Sequence, residues 1–168
     1  MTPAATVATE EPMTEADPSP AEDRTSPLGL WMYADSYLDA AGCVAAHSKH
    51  PHREPIYLLY AHAIEFALKA FLRAKGVSID EIETHGHRLT PLLDACRALG
   101  LQEPRHIEKT GAAAVGLLEL GDPNARYVRS GFKRRPDLPG LRLFAEWLIT
   151  DTKTLCVPRG PARKSAAG

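Results

Sequence analysis

His62, Glu65, Lys69 and Arg73 stand three, four and four residues apart in the stretch YAHAIEFALKAFLRAKG, residues 60–76. At about 3.6 residues per turn, that spacing puts all four on one narrow stripe of a helix. An imidazole beside a carboxylate is a pairing used in general acid–base chemistry, and the lysine and arginine further along suit phosphate. The plainer account is a salt-bridged seam, because Glu65 before Lys69 is the favoured order at four residues' separation. Under either account the stripe is where an otherwise apolar helix meets solvent, a partner chain or a ligand.

A second group lies in ARYVRSGFKRRPD. Arg126, Arg129, Lys133, Arg134 and Arg135 have no acid among them, and Tyr127 and Phe132 are interleaved. Guanidinium groups alternating with aromatic faces suit phosphate contact plus base stacking, as on a nucleotide or single-stranded RNA. The bland alternative is a solvated loop that balances acid elsewhere in the chain.

The remaining candidates are weaker. His47, His50 and His52 crowd one loop, and His85 and His87 another, which are residue types that hold zinc or nickel. A helix of about 20 residues separates the loops by about 30 Å, and no thiolate accompanies either, so no metal site is expected. His87 in the Gly-His turn is expected to cap a helix or bond backbone. Cys43, Cys96 and Cys156 are odd in number and set in apolar patterns, so they read as reduced core residues. Neither a nucleophile elbow, a P-loop nor a Gly-rich dinucleotide fingerprint is present, and no cofactor or catalytic residue is assigned.

The elements that must position these residues are helical. Ser26 suits an N-cap before Pro27, and Trp31, Ala34, Leu38, Ala41 and Ala45 then recur at helical spacing, with Tyr37 and Val44 widening the face. The second helix spans about Pro55 to Lys75, with Gly76 at the C′ position, and must be central because it is apolar on most sides. A short acidic turn, SIDEIE, leads to HGH. The next helix uses Leu89, Leu92, Leu93, Cys96 and Leu99, and another uses Ile107, Ala114, Leu117 and Leu118. Asp137 can cap a last helix facing inward through Leu141, Ala145, Leu148, Ile149 and Thr152. No alternating strand pattern appears. The expectation is an all-α, up-down bundle of four to five helices.

With 168 residues and a net charge of −1, the chain suits one domain and makes no global electrostatic bid for nucleic acid or membrane. Residues 1–25, rich in Ala, Pro, Thr and acid, read as a disordered acidic tail, and 157–168 as a short basic one. The bundle is assigned to 26–156. The start has no secretory pattern, and no run approaches the roughly 18 apolar residues of a membrane span, so a cytoplasmic setting is expected.

HAIEFALKAFL followed by GHRL and then by Arg126 with Tyr127 resembles the HEPN superfamily of small helical domains, over roughly residues 28 to 155. GHRL is similar to the family's Gly-His-Asp-Leu turn, with Arg88 where Asp is usual. The resemblance implies a four- or five-helix bundle, a homodimer, and work near nucleotides or RNA, with a nucleotidyltransferase or other toxin–antitoxin protein as partner. Many members are ribonucleases with Arg, four to six residues, then His near the last helices. Here the last histidine is His106, so no later arginine is followed by one. The function expected is therefore noncatalytic binding of a nucleotide, RNA or a partner protein, through Arg126, Tyr127, Arg129, Lys133 and Arg134 with His62, Glu65 and Lys69. The alternatives are a divergent ribonuclease using His62 or His87, and a structural dimerisation domain.

Overall fold

The computed structural model describes residues 25–49, 53–119 and 136–157. Six helices account for them: α1 Pro27–His47, α2 Glu54–Ala74, α3 Ile79–Thr84, α4 Leu89–Ala98, α5 Arg105–Glu119 and α6 Leu138–Cys156. No strand occurs among the described residues. The expected tails and the basic group Arg126, Tyr127, Arg129, Lys133 and Arg134 lie outside the described residues, as do His50 and His52.

Local chemistry sets the helix ends. Ser26 Oγ accepts the Gly29 amide at 3.0 Å, and Asp137 Oδ2 accepts the Gly140 amide at 2.7 Å, each meeting a first-turn donor that the helix cannot. SIDEIE, expected as a turn, closes into the short helix α3 because the Ser78 hydroxyl accepts the Glu81 amide. Past α2, Gly76 adopts φ +87°, its amide reaches the Arg73 carbonyl, and the Val77 amide reaches Leu72. That left-handed exit is open to glycine at little cost and turns the chain toward α3.

α2 is the centre of the bundle. Ile64, Ala67, Leu68 and Ala70 are fully buried on it, and it packs against α1, α4 and α6. Tyr33 meets Phe66 while Tyr37 meets His62, so α1 runs antiparallel to α2. Alanines 34, 41, 63 and 67 leave no side chain between the two helices bulkier than a methyl at those points. An 18-residue window of α2 reaches a mean hydropathy of 1.2, enough for a membrane span by composition, but 56% of it is buried by the bundle. A core helix meets the same test.

The inward face expected on α6 is observed in full, with Leu141, Ala145, Leu148, Ile149 and Thr152 all buried. Three residues expected in the core are outside it: Ala45, Leu99 and Cys43 are exposed. Cys43 and Ala45 fall in the last turns of α1 and Leu99 sits just past the end of α4, where the neighbouring helices no longer cover them.

Cys96 and Cys156 are buried, reduced, and donate weakly to the carbonyls of Leu68 and Ala70. Burial pushes both thiols up, Cys156 from 9.0 to about 11 and Cys96 further. In the folded protein a thiol reagent should therefore modify Cys43 first, with the other two reacting only on unfolding. Equal rates at all three would contradict this packing. The stability gained by keeping Cys156 protonated is complete below pH 9 and is lost as pH rises toward 11. Unfolding followed against pH should show that decline.

Candidate functional site

The stripe assembles around one carboxylate. Glu65 is 5% exposed, an unusual position for an acid, and its environment explains how it is tolerated. Lys69, one turn on, donates to Glu65 Oε1 at 2.7 Å. His87 Nδ1 lies 2.9 Å from the same oxygen, and His62 Nδ1 lies 3.9 Å from Oε2. Three of the side chains predicted to act together, His62, Glu65 and Lys69, thus do meet. The fourth member of the stripe leaves it: Arg73 gives its Nε to the Thr25 carbonyl and a terminal nitrogen to the Val77 carbonyl, each at 3.2 Å. It ties the start of α1 to the end of α2.

His87 was expected to cap a helix or bond backbone. It instead reaches across from another segment to Glu65, and Gly86 is what lets it do so. Gly86 adopts φ +59°, closing the turn after α3 and presenting His87 over the α2 surface. No spacing rule links residue 87 to residue 65, so this partner was visible only in three dimensions. An ionised carboxylate only accepts, so Nδ1 of His87 is the donor. A neutral ring then keeps its lone pair on Nε2, and the side chain is 69% exposed.

Beyond His62 the site continues as aromatic rings. Tyr37 packs on the His62 ring with centroids 5.1 Å apart and stacks on Phe66 at 5.6 Å, 10° from parallel. Tyr33 also stacks on Phe66, at 5.5 Å, and is 62% exposed. Tyr37, expected on the core face, lies on this surface, together with Tyr33 and Phe66, to which no role is assigned from the sequence. The available signal was the four-residue repeat of Tyr33 and Tyr37 on α1, off the Ala34–Ala41 line.

Set against known protein families, curated proteins and solved structures, the chain matches none. The site's chemistry has to speak for itself. A ladder of ring faces ends in two imidazoles beside a buried carboxylate, one of them hydrogen-bonded to it, with a lysine alongside. Such a surface can stack a planar ligand and hydrogen-bond its polar edge. The Glu65–His87 pair can also move a proton at Nε2. Among the described residues no group of three or more His, Cys, Asp or Glu is placed to hold a metal ion. His47 instead has its Nδ1 2.9 Å from the Cys43 carbonyl of its own helix.

Proposed function

We propose that the protein is a HEPN-like binding module that takes a nucleotide or short single-stranded RNA on the face shared by α1 and α2. The observation that carries this is the run of contacts from Tyr33 through Phe66, Tyr37 and His62 to Glu65 and His87, which joins a stacking platform to polar groups. Support also comes from the two segments behind the family resemblance, the α2 stretch and the Gly-His turn, which touch through Glu65 and His87. The basic group Arg126, Tyr127, Arg129, Lys133 and Arg134 supplies further phosphate contacts in this reading. A homodimer, a toxin–antitoxin partner and a cytoplasmic setting belong to the same reading, and light scattering at micromolar concentration reads the first of these directly.

The test is a fluorescence-anisotropy titration of labelled single-stranded RNA at low salt. Tyr33→Ala should weaken binding by about 1 to 3 kcal/mol, the usual loss for a base-stacking ring. Its melting temperature should hold, because this ring is largely exposed. Affinity should fall with added salt in proportion to the phosphates contacted. Equal affinity of Tyr33→Ala and wild type would remove the platform from the account.

One observation favours a second reading. A buried carboxylate orienting an exposed imidazole is the geometry of a general base, so a divergent ribonuclease using His87 with His62 is the alternative. RNA cleavage by the wild type that is lost in His87→Ala would select it, and intact RNA after long incubation would reject it.

A further inference from the structure

One oxygen of Glu65 keeps acceptor positions that the fold does not fill. Oε1 takes both hydrogen bonds the carboxylate receives among the described residues, from Lys69 Nζ at 2.7 Å and from His87 Nδ1 at 2.9 Å. Oε2 has His62 Nδ1 near it at 3.9 Å, too far for a hydrogen bond. Even so, Oε2 is not sealed in protein. The side-chain polar atom that the described residues bury without a partner is Glu103 Oε1, so Oε2 of Glu65 keeps contact with solvent. With 7% of the Glu65 side chain exposed, that opening is narrow, and it lies beside His62.

Two neighbours decide what can approach it. His62 is the last ring of the aromatic ladder and its side chain is 36% exposed, so a base resting on it brings a polar edge to Oε2. Lys69 has spent one of its three ammonium protons on Oε1 and can donate again at the same edge. The paired bonds to Oε1 also fix the carboxylate's orientation, leaving Oε2 turned toward His62.

An ionised carboxylate accepts and cannot donate, so it sorts bases by the donors on their edges. Adenine and cytosine carry one amino group next to a ring-nitrogen lone pair, and uracil carries one N–H between two carbonyls. Guanine has two adjacent donors, N1–H and the 2-amino group, followed by the O6 acceptor. A lone pair turned toward Oε2 would be repelled and would leave the carboxylate unmatched. We propose that the face shared by α1 and α2 selects guanine, with the base stacked on His62, N1–H and the 2-amino group donating to Glu65 Oε2, and Lys69 donating to O6. Guanine selection rests on the nucleotide-binding reading of this face and adds to it the base that is read.

Anisotropy titrations of the full chain with labelled short uridine oligomers, each carrying one central guanine, inosine, adenine or cytosine, test it. The guanine oligomer should bind about tenfold or more tighter than the adenine and cytosine ones, the usual worth of a matched hydrogen bond to a charged group. Inosine, which lacks the 2-amino group, should fall between guanine and adenine. Glu65→Gln, with its fold checked by melting, presents an amide that donates as well as accepts, and should bring guanine and adenine level. Equal affinity of wild type for guanine and adenine oligomers would overturn guanine selection while leaving nucleotide binding in place. An undiminished guanine preference in folded Glu65→Gln would overturn it too. If Glu65→Gln does not fold, the inosine comparison decides, and inosine binding as tightly as guanine would overturn the two-donor contact. No binding of any oligomer would remove the nucleotide-binding reading and guanine selection together.

Discussion

Gly111→Ala should destabilise the protein by about 1 to 3 kcal/mol, the usual penalty for overpacking a core. Helix propensity alone predicts the opposite sign, because alanine in a helix interior gains about 1 kcal/mol over glycine. The difference lies in what stands opposite. A Cβ at Gly111 would fall 2.5 and 2.6 Å from two ring carbons of Phe144 and 3.0 Å from Glu103 Oε1. Phe144 is fully buried and cannot swing away without opening a void in α6 packing. Gly116 on the same helix is the control, since nothing lies within 4 Å of its Cβ, and Gly116→Ala should be neutral or stabilising. Phe144→Ala should cost about 3 to 5 kcal/mol by the cavity it leaves. In the double variant the two costs should partly cancel, since the methyl enters the space the ring vacates. Chemical denaturation of the four variants reads all of this, and a stabilising Gly111→Ala would contradict the close approach of α5 to α6.

Glu65→Ala is expected to act on stability and binding together. Removing a carboxylate hydrogen-bonded to charged partners costs about 1.5 to 3 kcal/mol in buried settings. The loss here should fall at or below the low end of that range, because the released Lys69 and His87 can reach water; their side chains are 16% and 69% exposed. The larger effect should be on the ligand, since His87 loses its anchor and His62 its nearby charge. Glu65→Gln keeps an acceptor oxygen and the shape while losing the charge, so it should lie between alanine and wild type in both readouts. Retained RNA affinity in a folded Glu65→Ala variant would mean that the carboxylate holds the bundle and not the site.

The parts of the bundle written in local periodicity were legible from the chain. The caps at Ser26 and Asp137, the exit at Gly76 and the inward face of α6 follow from residues within a few positions of each other, and all four are observed. The stripe His62, Glu65 and Lys69 was legible for the same reason. The burial of Glu65 was not, because it depends on His87, twenty-two residues on, being brought over α2 by the left-handed turn at Gly86. The aromatic face was missed for a related reason: Tyr37 has the composition of a core residue, and only the docking angle of α1 on α2 turns its ring toward His62 and Phe66.

The central claim is that the rings of Tyr33, Tyr37 and His62, with the Glu65-held His87, form one ligand-binding face. NMR of the aromatic side chains during titration with a short single-stranded RNA tests it most directly. The account predicts that signals of these four rings move together and saturate together, while those of Phe144 and Trp147 in the α6 core stay in place. Saturable RNA binding that leaves the four rings unmoved would contradict it.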